Sequence, residues 1–121
     1  MIFQGTVLGP PLWNIFFEDA RIPINQAKFR EIAFADDLNA YKSLKGSVRN
    51  NTCLKLGNEC QKGLHRWGKA NSVTFDAGKE GMSIISRETP EGDGFKMLGV
   101  SFDTSLYMTG AVLNLCEEAN W

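Results

Sequence analysis

The apolar positions of this chain fall into blocks of different period. After a Gly- and Pro-rich opening, Gln4-Gly-Thr-Val-Leu-Gly-Pro-Pro11, the run Leu12–Ala20 places Leu12, Ile15, Phe16 and Ala20 on one stripe. That spacing predicts a short, largely buried helix, with Pro10 or Pro11 suited to its first turn and Pro23 ending it or confining the link beyond. Residues 29–42 read as a hairpin, two apolar-rich arms flanking Asp36-Asp37, because Asp tolerates turn geometry. A longer amphipathic helix, capped by Ser47 or Asn51, is predicted to reach Ala70. Its apolar residues Cys53, Leu56, Cys60, Leu64 and Trp67 advance in steps of three and four. Gly57, Gly63 and Gly68 weaken that helix by about 1 kcal/mol each against alanine, so it needs tertiary packing. Beyond Asn71 the texture changes to short strands, predicted at Val73–Asp76, Met82–Ser86 and Phe95–Phe102 and punctuated by glycines and Pro90. A last helical spacing joins Val112, Leu115 and Ala119. The order predicts an α+β fold rather than a doubly wound sheet.

The 121 residues suffice for one modest domain, and 43% hydrophobic with 22% charged is an ordinary globular composition. Neither an 18-residue apolar run nor a basic leader is present, so no membrane partner and no secretion are expected. Cys53, Cys60 and Cys116 form an odd, scattered set that matches no zinc motif and suits a reducing compartment. The expected location is therefore intracellular, in nucleus or cytoplasm. The net charge of −1 conceals segregation: residues 42–69 carry seven basic residues against one acid, Glu59. Such a band is either a solvated helix face or a surface that follows a phosphate backbone. His65 and the aromatics Trp13, Phe16 and Phe17 read as surface and core residues respectively, and no nucleophile elbow accompanies them.

Phe34-Ala35-Asp36-Asp37 is the sharpest chemical feature. Adjacent carboxylates disfavour each other's ionisation unless a cation is near, and hard oxygen donors suit Mg²⁺. A carboxylate-held metal pair serves in-line phosphoryl transfer. The motif is preceded by Gln4-Gly5-Thr6-Val7-Leu8-Gly9-Pro10 and followed by Met97-Leu98-Gly99-Val100. This ordered triple resembles the reverse transcriptase, an RNA-directed DNA polymerase, of non-LTR (LINE-like) retrotransposons.

The resemblance implies a partial polymerase palm over 1–106 and the start of a thumb-like segment over 107–121, in one domain without fingers or most of the thumb. It implies catalytic and metal-binding roles for Asp36 and Asp37, with Mg²⁺ as the cofactor and Mn²⁺ as a substitute. Gln4, Gly5, Phe34 and Ala35 would lie beside nucleotide, template and primer end, and Leu98 and Gly99 would belong to a primer-gripping hairpin. Lys79 follows Phe75-Asp76-Ala77-Gly78 and is either an acid near the leaving pyrophosphate or a surface lysine. The partners implied are an RNA template, a DNA primer and deoxynucleoside triphosphates. Phe3 departs from the family's proline before Gln-Gly. The strand bearing the family's other catalytic aspartate has no counterpart in the sequence, so the chain is expected to be inactive alone. Apolar surface left uncovered on the first helix and hairpin would favour association. The alternatives are a non-catalytic nucleic-acid-binding module using residues 42–69, or an inactive retroelement relic.

Overall fold

The computed structural model describes residues 7–97 and 99–119. They form helices and two small antiparallel hairpins, grouped into two compact units. One unit comprises the chain up to Gly46 together with Lys55–Asp76; the other comprises Ser47–Leu54 and the chain from Ala77 onward.

In the first unit, α1 (Gly9–Phe17) passes through a single 3-10 turn (Glu18–Ala20) into α2 (Arg21–Gln26). Pro23 does not end the helical run; it occupies the first turn of α2, where its missing N–H deprives no intrahelical acceptor. The expectation of a largely buried first helix is corrected as well. No residue of α1 is buried, and Leu12, Ile15 and Phe16 are 45%, 72% and 39% exposed. The buried anchors lie one turn later, at Ala20 and Ile24, both fully inaccessible.

Strands β1 (Arg30–Phe34) and β2 (Asp37–Tyr41) pair antiparallel, Arg30 opposite Tyr41 and Phe34 opposite Asp37. Strand alternation gives the two faces different fates. Glu31 is only 18% exposed and is held by Arg21, whose Nε lies 3.3 Å from Glu31 Oε1 while its Nη1 lies 2.9 Å from Glu18 Oε1. On the opposite face Ile32, Phe34 and Tyr41 stay 43%, 63% and 45% exposed.

Helix α3 (Asn50–Ala70) starts at Asn50 rather than after a Ser47 or Asn51 cap. Its Lys55–Ala70 portion belongs to the first unit and buries Cys60, Gly63 and Gly68 there. The glycines are contact points as well as helix liabilities. A Cβ on Gly63 would stand 3.2 Å from Pro23 Cβ, and one on Gly68 would stand 2.8 Å from both Phe75 Cε2 and the Val73 carbonyl oxygen. Trp67, on the same side, meets Phe17 edge-on at 5.3 Å between ring centroids, and Phe17 in turn stacks on Trp13 at 5.1 Å. Val73 N–H donates to the Gly68 carbonyl at 2.8 Å, and Ser72 takes a positive φ of 58°. That is a Schellman-type stop, and it places residues 73–76 against the helix as an extended segment without strand pairing.

The second unit holds β3 (Phe95–Met97) and β4 (Val100–Phe102), paired with Phe95 opposite Phe102. Their rings stack at 5.2 Å with an 8° interplanar angle. Residues 95–102 are thus a hairpin instead of one strand, reversed where Gly99 adopts φ +84°, a conformation that glycine enters without steric cost. The strand expected at 82–86 is reduced to one bridge, Ile84 with Glu91, made by backbone bonds of 2.7 and 3.2 Å. The Asn50 side chain donates to the Thr89 carbonyl at 3.1 Å and to Glu91 Oε2 at 2.9 Å. Helix α4 (Thr109–Ala119) buries Ala111 and leaves Val112 and Leu115 exposed. Among the described residues, no helix is long and apolar enough to cross a membrane.

Candidate functional site

Five-residue arms joined by two residues bring Phe34, Ala35, Asp36 and Asp37 to one end of the β1–β2 hairpin. Ala35 and Asp36 make the turn, and Asp37 opens β2 opposite Phe34. Ala35 carries φ +53°, a left-handed conformation that costs an L-residue about 1–2 kcal/mol. Two-residue hairpin loops of this kind favour glycine at their first central position.

Part of that strain is offset by a contact the sequence does not announce. The Trp13 indole Nε1–H donates to the Ala35 carbonyl oxygen at 2.9 Å, across 22 residues of chain. Trp13, expected as a core aromatic, is only partly buried and tethers the acidic turn instead. Its legible signal is weak: an indole is both apolar and a hydrogen-bond donor, so a half-buried Trp seeks an acceptor. Below the turn lies a cleft of about 220 Å³, lined by Asn14, Phe17, Glu18, Arg21, Ala33 and Leu38 among others.

Asp36 and Asp37 are both exposed, and neither carboxylate has an ion pair or hydrogen bond with a described residue. Their oxygens are free to take a cation. Among the described residues no group of three His, Cys, Asp or Glu side chains could form a cage. Two carboxylates at a solvent-facing turn fit Mg²⁺, which keeps several waters and takes one or two carboxylates plus substrate phosphates. They do not fit an all-protein site.

The remaining expected site residues are not gathered at this turn by the first unit. Lys79 lies in the exposed turn 77–79 of the second unit, and Gly99 in the β3–β4 turn of the same unit. Gln4, Gly5 and Leu98 lie outside the described residues. Of the basic segment, Lys42 is committed elsewhere. Its Nζ donates to the Ala27 carbonyl at 3.2 Å and sits 5.3 Å from the Phe29 ring centroid. His65 is exposed and meets Phe75 edge-on at 5.5 Å.

No family model matches the chain, and no solved structure matches it. Over 76 residues, 63% of its length, the chain is 32% identical to the Retrovirus-related Pol polyprotein from type-1 retrotransposable element R1 of Bradysia coprophila. It spans 7% of that polyprotein's length. The similarity supports a retrotransposon origin for this sequence.

Proposed function

We propose that the chain is a palm segment of a retroelement RNA-directed DNA polymerase, with Asp36 and Asp37 as its metal-binding and catalytic carboxylates. The observation that carries this reading is two adjacent carboxylates without partners among the described residues. Asp36 lies in a two-residue hairpin turn and Asp37 at the start of β2, with Trp13 bonded to the Ala35 carbonyl of the same turn. The similarity to a retrotransposon Pol polyprotein supports the retroelement origin that this reading requires. Mg²⁺ bound there would neutralise the acidic pair and supply the charge stabilisation that phosphoryl transfer needs. The chain's own contribution is positional. The hairpin register places Asp37 opposite Phe34, and the Trp13 indole bonds the Ala35 carbonyl one residue before Asp36. The corresponding ligands would be an RNA template, a DNA primer and deoxynucleoside triphosphates, with Phe34 and Ala35 beside the acidic pair. Two carboxylates alone leave most of the metal's shell to water, so affinity should be about millimolar or weaker. The chain by itself should not extend a primer, because such chemistry depends on a complete, positioned constellation.

Paramagnetic Mn²⁺ tests the site directly. Amide resonances of Ala35, Asp36, Asp37 and Leu38 should broaden first in a titration, and the Asp36→Asn/Asp37→Asn chain should lose that effect. Broadening centred elsewhere, or unchanged in the double variant, would refute the assignment.

A further inference from the structure

The basic band of the sequence resolves, in the first unit, into one stripe. Lys55, Glu59, Lys62, Arg66 and Lys69 succeed one another in steps of four and three along a continuous helix, so they share a face. All five are exposed. Gly63 and Trp67, which meet Pro23 and the Phe16 and Phe17 rings, lie outside that stripe, and Cys60 is buried. At a rise of about 1.5 Å per residue the stripe is about 21 Å long.

Its charges are largely unspent. Lys62 Nζ pairs with Glu59 Oε1 at 2.9 Å, both side chains about two-thirds exposed (68% and 67%). Glu59 is held below its usual range by that hydrogen bond and by the charges of Lys62 and Arg66. Lys55 and Lys69 have no ion pair with any described residue, and Lys69 also complements the negative end of the helix. Four cations against one acid thus face solvent on one side of a rigid rod, in a chain whose net charge is −1. A polymer of regularly spaced negative charge is the complementary ligand. The long lysine and arginine side chains can reach phosphates while the helix stays outside the grooves.

We infer that this face of α3 binds the phosphodiester backbone of nucleic acid, independently of sequence and without using Asp36 or Asp37. The surface shares with the polymerase reading only the class of ligand. It would persist if the carboxylate assignment failed.

The test is fluorescence anisotropy of the full chain with a labelled mixed-sequence RNA–DNA hybrid duplex, titrated between about 50 and 200 mM salt. Lys62 is half-committed to Glu59, so about three phosphates are neutralised and log K against log salt should slope at about −2 to −3. Lys55→Gln/Arg66→Gln/Lys69→Gln should flatten the slope to about −1 or less. Glu59→Gln frees Lys62 and should steepen the slope by just under one while raising affinity, a change that loss of fold cannot produce. The Asp36→Asn/Asp37→Asn chain should keep the wild-type slope, which separates this surface from the metal site. A triple variant with unchanged slope, or a Glu59→Gln chain that binds no more tightly, would overturn the proposal. Equal affinity for polyglutamate at matched salt would also overturn it, in favour of an acidic protein partner.

Discussion

Replacing Gly68 by alanine sets two terms of known sign against each other. Alanine gains up to about 1 kcal/mol of helix propensity over glycine in a helix interior, and less within the last turns. Against that gain, the new Cβ would lie 2.8 Å from the Val73 carbonyl oxygen and 2.8 Å from Phe75 Cε2. The phenyl ring can move. The carbonyl cannot move freely, because Val73 N–H is bonded to the Gly68 carbonyl at 2.8 Å and closes the helix stop. Relief to ordinary contact therefore strains that stop, at the 1–3 kcal/mol (roughly) of an overpacked site. The net expectation is a loss of about 1–2 kcal/mol. Two other glycines calibrate the result. At Gly63 the nearest atom is Pro23 Cβ at 3.2 Å, so Gly63→Ala should be close to neutral. At Gly110, in the first turn of α4, nothing lies within 4 Å, so Gly110→Ala should stabilise by about 0.5–1 kcal/mol. Urea unfolding of the full-length variants, followed by far-UV circular dichroism and tryptophan fluorescence, reads the series. With a slope of about 1–2 kcal/mol per molar urea, Gly68→Ala should lower the midpoint by roughly 1 M. A midpoint for Gly68→Ala raised as far as that of Gly110→Ala would refute the packing described around the end of α3.

Ala35→Gly should stabilise the β1–β2 hairpin by up to about 1 kcal/mol, since glycine accepts φ +53° without strain; a loss measured by the same urea titration would mean that Ala35 is not left-handed in solution. Trp67 Nε1 is buried without a hydrogen-bond partner among the described residues, so Trp67→Phe should cost less than about 1 kcal/mol, whereas Trp67→Ala should cost about 3–5; equal losses in the two variants would contradict an unpartnered indole. Asp103 accepts backbone N–H bonds from Met108 at 2.8 Å, Ser105 at 2.9 Å and Tyr107 at 3.2 Å, and these hold its carboxyl below the usual range, the Met108 bond most of all. Its contribution is complete above the unfolded-state pKa and disappears as pH falls through the lower folded value. Asp103→Asn should therefore be less stable at neutral pH and less acid-sensitive, as followed by thermal melts across the acidic range; identical acid limbs in the two proteins would show that the carboxylate does not clasp the loop.

The parts of this fold written in local pattern are legible in the sequence, and the parts that depend on what approaches from elsewhere are not. The amphipathic step from Cys53 to Trp67 specifies α3, because helical period and buried face are properties of one segment. The hairpin is legible for a similar reason, its two apolar-rich arms around the acidic pair. Its turn falls one residue earlier than that pattern suggests, at Ala35 and Asp36, with Asp37 already in β2. Gly63 and Gly68 carry no such mark. Each reads as a helix weakness until Pro23 and Phe75 are seen to occupy the space a side chain would need. The isolated run Val73–Asp76 has strand-like residues but no partner ladder, and the bond from Val73 to Gly68 claims it for the helix stop instead.

Burial obeys the same division. The stripe through Leu12, Ile15 and Phe16 is apolar in sequence, but it is not the side by which α1 chiefly packs, since Trp13 and Phe17 are its less exposed aromatics. Periodicity states nothing about how much of the chain lies over that side, and all three remain well exposed. The tether from Trp13 to Ala35 belongs to this second class, since it joins residues that no local pattern relates. It is also what makes the candidate site more than a motif. Four consecutive letters place the acids at the end of the hairpin, but they do not show that the left-handed Ala35 has a hydrogen-bond partner outside it. α1 supplies that partner from its exposed, apolar length. The same helix that contributes little to the buried core thus contributes a side-chain bond to the acidic turn, and the positioning proposed for Asp36 and Asp37 draws on it.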